Sequence, residues 1–173
     1  MSITTKTGDN GTTSLYCGKR VGKDNMRVEI CGALDEVSSF LGMAKNASKD
    51  KNTKRIVHSI QKELISLGAE VATSAAGSGK IKKRVGRDSI CVLEKEIGCL
   101  EGKCALRIKS FCIPGKGTAS SALDVARAIT RRAERGSVTL LKKGMVKNPN
   151  IVIYLNRLSD LLYLLARSNE EKG

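Results

Sequence analysis

Aromatic residues, histidine and proline are all scarce in this chain of 173 residues. Aromatic side chains make up 3% of it, and tryptophan is absent. Because β-sandwiches draw heavily on aromatic and β-branched residues, this shortage favours packed helices with a core of Leu, Ile, Val and Ala. The 40% apolar content suffices for one domain that buries about two-thirds of its unfolded surface.

The cysteine and histidine pattern disfavours a zinc site. Six cysteines occur without a C-x-x-C pair, and His58 is the one histidine. Structural zinc sites combine Cys and His ligands at short, regular spacings. Dispersed cysteines are typical of reduced thiols, so we expect a cytoplasmic protein. We expect His58 to be a surface or half-buried helix residue without a catalytic role. No apolar run is long enough to span a membrane and the N-terminus lacks a signal-peptide core, so we expect no membrane partner.

The net charge of +14 indicates an anionic partner, either nucleic acid or a polyphosphate. Single-stranded nucleic acid is bound by aromatic residues that stack on bases beside basic residues. Here the aromatic residues are scattered: Tyr16, Phe40, Phe111, Tyr154 and Tyr163. The densest basic run, residues 80–87, follows a small-residue stretch and predicts a solvated loop.

The spacing of apolar residues predicts five helices in a single domain that covers residues 1–173. Five helices of this length in one domain are typical of a helical bundle, so the fold class is all-α. Residues 1–26 and 76–86 are expected to be loops, and residues 105–114 an extended connector. The predicted helices span residues 27–45, 53–75, 89–100, 118–142 and 149–168, with Asp88 as the cap of the third.

The fourth predicted helix carries an unusual concentration of arginine. Arg127, Arg131 and Glu134 are spaced i, i+4, i+7 and share one face, beside Arg132 and Arg135. The guanidinium group is a rigid fork of donors suited to phosphate oxygens, so this face predicts a polyphosphate site. A solvated face with ion pairs one turn apart is the alternative. The predicted core side of this helix contains Ala126, Ile129, Ala133, Val138 and Leu140.

A second segment, TKTGDNGTTSLYCGKRVGKD, is rich in glycine, threonine and serine near the N-terminus. Glycines permit positive φ, and backbone N–H groups and hydroxyls can converge on one anion, so the segment suits phosphate. Lys6 and Lys23 add positive charge. It is not a P-loop, because it lacks G-x-x-x-x-G-K-[ST]. A flexible N-terminal arm is the alternative.

Four sequence blocks occur together in this chain: TKTGDNGTTSL, RVGKDNMRVEICGALDEVSSFLG, FCIPGKGTASSALDVARAITRRAER and NPNIVIYLNRLSDLLYLLAR. By their content and order the chain resembles the PduO-type ATP:cob(I)alamin adenosyltransferases, also called corrinoid adenosyltransferases. The resemblance covers most of the chain outside residues 46–108. It implies a five-helix bundle that forms a homotrimer and binds ATP at the subunit interfaces. The implied reaction transfers the 5′-deoxyadenosyl group of ATP to cob(I)alamin and releases inorganic triphosphate, with Mg²⁺ accompanying the nucleotide.

The resemblance also implies roles for individual residues. Asp35 is expected to pair with Arg127 across the subunit boundary, and Phe111 to crowd the lower face of the corrin so that the lower ligand leaves. The implied catalytic residues are Arg127, Arg131, Glu134, Asp35 and Phe111. The implied ATP-binding residues are Thr5, Lys6, Thr7, Gly8, Thr13, Ser14, Lys23, Arg131, Arg132, Ala133, Glu134, Arg135 and Asn156. A reductase and an adenosylcobalamin-dependent client enzyme are the implied protein partners.

Three positions depart from the residues usual in that family. Asn10 stands where a lysine is usual, Lys116 stands at the second glycine of P-G-G, and Asp124 stands where histidine is frequent. We expect these changes to affect affinity and corrinoid preference, and not the class of reaction. Two rival functions need no ATP site: a basic helical nucleic-acid-binding protein, and a non-catalytic cobalamin carrier.

Overall fold

The computed structural model describes residues 3–74, 81, 83–104 and 112–170, and within this part the chain is a bundle of five helices. This confirms the predicted five-helix, single-domain architecture. The helices are α1 (Met26–Ala47), α2 (Lys51–Val71), α3 (Arg87–Cys104), α4 (Thr118–Lys142) and α5 (Asn150–Ser168), and two short strands, β1 (Thr12–Ser14) and β2 (Arg20–Gly22), precede them.

The helices pack around one apolar core. Helix α1 packs against α2 and α4, while α5 packs against both α3 and α4. Apolar residues recur every three or four positions and are removed from solvent, as expected for helices with one buried face. Fully buried side chains include Val37, Leu41, Leu67, Leu123, Leu140, Leu155, Leu158 and Leu162. No helix in the described ranges has the length and apolar character needed to cross a membrane.

Asparagine and aspartate side chains set the starts of two helices. Asn25 Oδ1 accepts from Arg27 N at 3.0 Å, and the Asp50 carboxylate accepts from the backbone N atoms of Asn52 and Thr53. Such caps satisfy N–H groups that have no partner inside the helix. Helix α2 therefore begins two residues earlier than predicted, and α3 begins before Asp88, which lies in its first turn and is not its cap.

The predicted N-terminal loop contains a β-hairpin, which corrects the all-helical expectation. Strands β1 and β2 pair antiparallel, with Thr13 opposite Val21. The turn closes through Leu15 N to Lys19 O at 2.9 Å, and Gly18 adopts the positive φ of 85° that the turn requires. Tyr16 N donates to Ala72 O at 3.1 Å, which fixes the hairpin to the end of α2.

The basic run at residues 80–87 is not simply a solvated loop, as had been expected. Val85 is 1% exposed, and its backbone N donates to Glu70 Oε2 at 3.0 Å. Glu70 Oε1 also accepts from Asn148 Nδ2 at 3.0 Å, so Glu70, Val85 and Asn148 form one buried polar cluster, the Glu70 cluster. A buried carboxylate needs such donors, which explains why this part of the run docks on the bundle. Arg87 is already the first residue of α3.

Arg27 ties three elements together at one end of the bundle. Its buried guanidinium donates to Val71 O at the end of α2 and to Met145 O beyond the end of α4. The start of α1, which the hairpin precedes directly, therefore lies beside the end of α4. This arrangement fixes where the hairpin stands relative to the arginines of α4.

Candidate functional site

Arg127 and Arg131 border a groove of about 590 Å³ between α3, α4 and α5, called here the arginine groove. Helix α5 contributes Arg157 and Tyr163, and α3 contributes Glu94 among other residues. The groove forms because α3 and α4 both pack on α5 and leave part of it exposed between them. Its size falls within the range usual for small-molecule sites.

The arginines of the groove differ in whether they have acidic partners. Arg157 Nε lies 3.0 Å from Glu94 Oε1, and Arg127 Nε lies 3.8 Å from Asp124 Oδ1. Arg131 is exposed and has no ion pair or hydrogen bond within the described part of the chain. Arg131 is therefore a cation of the groove left open to an anionic ligand.

The other implied residues of α4 point elsewhere. Arg132 Nη2 donates to Glu36 Oε2 on α1 at 2.5 Å, away from the groove. Arg135 is exposed. Ala133 is 1% exposed and belongs to the core, so its side chain contributes packing and is not presented to a ligand. The arginine cluster seen in the sequence is thus divided between two sides of α4.

Glu134 and Asn156, two of the implied ATP-binding residues, meet between α4 and α5. Asn156 Nδ2 donates to Glu134 Oε1 at 3.2 Å, and Asn156 Oδ1 accepts from Arg157 Nη1 at 3.1 Å. Arg157 thereby orients the amide and links this pair to the arginine groove. Sequence reasoning missed Arg157, although its position directly after Asn156 and three residues before Asp160 was a signal.

The hairpin gathers several of the implied phosphate-binding residues. The Thr5 and Thr7 hydroxyls lie 2.9 Å apart, and the Lys23 side chain lies over Gly8, where a Cβ would come within 3.3 Å of Lys23 Nζ. Gly8 therefore allows the ammonium group to approach the backbone closely. Thr13 and Ser14 lie in β1.

Arg20 and Asn10 organise the same hairpin through exposed hydrogen bonds. Arg20 Nη2 donates to Thr7 O at 2.7 Å and also to Thr12 Oγ1. Asn10 Oδ1 accepts from Thr12 Oγ1 at 2.7 Å, so the departure at position 10 serves the turn. Arg20 was missed by sequence reasoning, because nothing in the sequence marks which residues its side chain reaches.

Within one chain the hairpin and the Arg127 end of the groove are far apart. The hairpin is anchored where α1 begins and α4 ends. Lys142 lies fifteen positions after Arg127 in α4, which corresponds to about 22 Å along the helix axis. The hairpin anchor and Arg127 therefore do not meet within a single chain.

Asp35 lies on a different face, in a cleft of about 390 Å³ between α1 and α2 that Tyr16, Cys31 and Ile65 also line. Its carboxylate is exposed and has no hydrogen-bond or ion-pair partner among the described residues. In the same cleft, burial and then the Asp35 carboxylate raise the pKa of the Cys31 thiol to about 11. The exposed apolar side chains of Tyr16 and Ile65 make this face suitable for contact with protein.

Two further expectations concern Phe111 and metal ions. Phe111 lies outside the described residues, which resume at Cys112. In the ranges that the structure covers, no three or more His, Cys, Asp and Glu side chains come together as a metal site. His58 is exposed on α2.

Comparisons with known proteins extend over nearly the whole chain. Residues 3–169 match the cobalamin adenosyltransferase family model. A corrinoid adenosyltransferase of Citrobacter freundii is 40% identical over 97% of this chain and 94% of its own length. The corrinoid adenosyltransferase PduO of Salmonella typhimurium is 38% identical over 98% of this chain, which spans half the length of that relative.

The fold has a close solved counterpart as well. A variant PduO-type ATP:corrinoid adenosyltransferase from Lactobacillus reuteri, complexed with cobalamin and ATP, superposes with a TM-score of 0.85. The two are 32% identical in sequence, and the match covers 96% of this chain and 92% of that one. Together with the sequence relatives, this match places both the hairpin and the arginine groove inside the region of similarity. The chain belongs to the cobalamin adenosyltransferase family.

Proposed function

We infer that this chain transfers the 5′-deoxyadenosyl group of ATP to cob(I)alamin and releases inorganic triphosphate. The observation that carries this inference is the nearly end-to-end match, which includes the hairpin and the arginine helix. A relative matched over 94% of its own length is a corrinoid adenosyltransferase, and a structural neighbour holds cobalamin and ATP. Neither a nucleic-acid-binding protein nor a passive carrier would need both polyphosphate-binding segments.

The chemistry explains the need for several cations. The electron pair of cobalt(I) attacks the ribose C5′ atom, and the C5′–O bond breaks with its electrons leaving on triphosphate. Preorganised cations stabilise the charge that develops on this leaving group. Arg131, with no acidic partner among the described residues, is suited to that role, and Arg127 and Lys23 add to it. Glu134 and Asn156 hold each other in place beside them.

Magnesium is proposed to enter the site on the nucleotide. Mg²⁺ is commonly bound by one or two carboxylates together with substrate phosphates, and needs no cage made by protein alone. Glu134, on the same helix as the arginines, is the carboxylate suited to help hold it. When bound, the ion would neutralise part of the triphosphate charge.

The complete ATP site is proposed to form between chains of a homotrimer. In this arrangement the hairpin and Asp35 cleft of one chain face the arginine groove of the next, and Asp35 pairs with Arg127. Three observations support it: the separation of hairpin and groove within one chain, the Asp35 carboxylate without a partner among the described residues, and the exposed Tyr16 and Ile65. A head-to-tail contact of this kind closes into a ring.

Light scattering tests the assembly. A trimer is expected, and a fully active monomer would rule out an intersubunit site.

Charge exchange then tests the proposed pair: Asp35→Arg and Arg127→Asp should each weaken assembly and activity. The double variant should recover part of the loss, because the pair is restored in reversed order.

Phe111 is proposed to crowd the lower face of the corrin, so that the lower ligand leaves and cobalt(II) is more easily reduced. Phe111→Ala should therefore slow adenosylation that starts from cob(II)alamin and spare ATP binding. Cobinamide, which lacks that ligand, should be affected far less. An equal loss on the two corrinoids would assign Phe111 to packing.

The reductase, the client enzyme and the cytoplasmic location remain predictions from the sequence.

One assay tests the function directly. The protein is mixed with MgATP and chemically reduced cobalamin, and the loss of cob(I)alamin absorbance is followed together with triphosphate release. Turnover above the protein-free rate is expected. Cobalamin binding without turnover would favour the carrier, and tight, steeply salt-dependent binding of oligonucleotides without turnover would favour the nucleic-acid-binding protein.

A further inference from the structure

Five charged side chains alternate in sign from the loop before α4, through the end of α5, to the arginine groove. Lys116 Nζ lies 3.5 Å from Glu170 Oε2, and Glu170 Oε1 lies 3.1 Å from Arg167 Nε. Arg167 Nη2 donates to Asp124 Oδ2, and Asp124 Oδ1 faces Arg127 Nε at 3.8 Å. This series, called here the ion chain, starts and ends with a cation, so the positive charge of Arg127 is not fully compensated.

The ion chain is buried at its centre and exposed at its outer end. The side chains of Arg167 and Asp124 are 3% and 6% exposed, whereas that of Lys116 is 60% exposed. A buried charge is tolerated only when paired with good geometry, so the Arg167–Asp124 contact is held firmly. The Lys116 contact is screened by water and contributes little. The rigid part of the chain is thus the part next to Arg127.

Tyr163 forms a second support for the same arginine. The Cζ atom of Arg167 lies 5.2 Å from the centre of the Tyr163 ring, and the Cζ atom of Arg127 lies 5.8 Å from it. Both distances fall within the range of cation–π contacts. Tyr163 therefore contacts the fixed guanidinium of Arg167 and the groove-lining guanidinium of Arg127 at once.

The Nε atom of Arg127 is buried and has no hydrogen-bond partner among the described residues. At 3.8 Å from Asp124 it is too distant for a hydrogen bond, so charge and the Tyr163 ring hold this edge of the guanidinium. The group itself lines the arginine groove. A cation held along one edge and one face presents its remaining donors in a restricted range of directions.

Two of the three positions where the sequence departs from the residues usual in the family, Lys116 and Asp124, belong to this ion chain. Asp124 supplies the carboxylate that both Arg127 and Arg167 approach. These two departures are therefore parts of one structural arrangement.

We propose that Asp124, Arg167 and Tyr163 are positioning residues that fix the orientation of the Arg127 guanidinium in the arginine groove. Tyr163 also lines the groove, but the role proposed for each of the three residues is exerted through Arg127. The inference rests on the proposed function to the extent that Arg127 serves adenosyl transfer. Its structural part, the restriction of Arg127, is measurable without turnover.

The first experiment compares Tyr163→Leu with Tyr163→Phe. The leucine variant removes the ring and is expected to lower kcat and kcat/KM for ATP by the same factor, about ten- to hundredfold, because a misplaced group is a poor catalyst. The phenylalanine variant keeps the ring and should recover most of that loss. Equal losses in the two variants would overturn the role of the ring. Lys116→Ala, at the exposed end, should change the rate less than about threefold.

The second experiment asks whether these residues act through Arg127. Asp124→Asn and Tyr163→Leu are each made in the wild-type and Arg127→Ala backgrounds. Each substitution should lower the activity of the wild-type protein but change that of the Arg127→Ala variant little. If each lowers the activity by the same factor in both backgrounds, the residues act independently of Arg127 and the proposal is overturned. Because Asp124→Asn leaves Arg167 buried with less compensation and could prevent folding, Tyr163→Leu keeps the comparison available.

Nuclear magnetic resonance of arginine Nε–Hε groups separates failure of this inference from failure of the proposed function. The Arg127 signal should be ordered in the wild-type protein and broadened or averaged in Tyr163→Leu. An unchanged signal would overturn the positioning role whatever the activity. If the Arg127 signal changes between the wild-type protein and Tyr163→Leu as expected, but the wild-type protein shows no adenosyl transfer, the proposed function is refuted and the positioning role stands.

Discussion

The hairpin and the arginine groove both present cations, but they hold them in opposite ways. Beside the hairpin strands, Lys6 and Lys23 are exposed and have no acidic partner among the described residues. In the groove, Arg127 and Arg157 approach carboxylates on packed helices. The hairpin is joined to the rest of the protein mainly at its end, where the buried Leu15 follows β1. The geometry of the groove is therefore set by folding of the bundle, while that of the hairpin is set by local hydrogen bonds and remains adaptable to a ligand.

Removing residues 1–14 is the strongest test of this contrast. Activity should fall more than about a hundredfold, because several contacts to the triphosphate, each worth roughly 1.5–3 kcal/mol, disappear together. The melting temperature should change little, since Leu15 and the whole bundle core remain. Parallel rate and thermal-unfolding measurements check both statements, with removal of residues 1–4 as the control. Retained activity in the shorter chain, or collapse of its stability, would contradict the contrast.

Cys31 reports whether the hairpin stays in place, since Tyr16 and Cys31 line the same cleft. Burial, then the Asp35 carboxylate, raise the pKa of this thiol from 9.0 to about 11. At pH 8 its reactive thiolate should be about a hundredfold scarcer than that of a thiol with the unshifted value, and should increase about tenfold per pH unit up to about pH 10. Alkylation followed by mass spectrometry, with exposed Cys91 as internal reference, measures this. Equal rates for the two cysteines would show the cleft to be open.

Arg131→Ala tests the groove side of the comparison. Losing a charge-assisted contact to the triphosphate should lower kcat/KM for ATP about ten- to hundredfold, at roughly 1.5–3 kcal/mol. The matched control is Arg55→Ala, which removes an exposed arginine paired with Glu96 at 2.7 Å; neither residue lines the groove. That variant should stay within about twofold of wild type. Unchanged ATP saturation kinetics in Arg131→Ala would remove this residue from the site.

Gly136→Ala tests the packing that sets the position of α4. A Cβ there would come within 2.9 Å of Ile30 Cγ1 on α1, so the Ile30 side chain or the helices must shift, and we expect a loss of about 1–2 kcal/mol in the free energy of unfolding. At Gly32 of α1 nothing lies within 4 Å of an added Cβ. Gly32→Ala should therefore stabilise the protein by up to about 1 kcal/mol through helix propensity. Urea denaturation distinguishes the two, and a stabilised Gly136→Ala would show that the α1–α4 contact yields easily.

The five helices were predictable because their apolar pattern repeats over many turns. In α2, for example, Ile56, Ile60, Leu64, Leu67 and Val71 mark one face, and all five are buried. The hairpin was not predictable from periodicity, because each of its strands has only three residues. Val85 was hidden for a related reason: one apolar residue within a basic run carries no pattern.

Two arginines of the groove could be predicted from the sequence, but the arrangement of the groove could not. Helical spacing places Arg127 and Arg131 on one face, and both border the groove. Whether an arginine is engaged depends on residues from other helices, such as Glu36 for Arg132 and Glu94 for Arg157. Such contacts between segments distant in sequence leave no signal in a single chain of amino acids.

The Glu70 cluster has a consequence for the kinetics of folding. It joins residues at positions 70, 85 and 148, so it is complete only after α3 and α4, which lie between Val85 and Asn148, have docked. Contacts between distant segments close late, because the chain between them must first lose its freedom. In Glu70→Gln, the new side-chain N–H group would face one of the two donors, Val85 N or Asn148 Nδ2. This variant should therefore accelerate unfolding more than it slows folding. The cluster would thus govern how long each folded molecule survives between unfolding events.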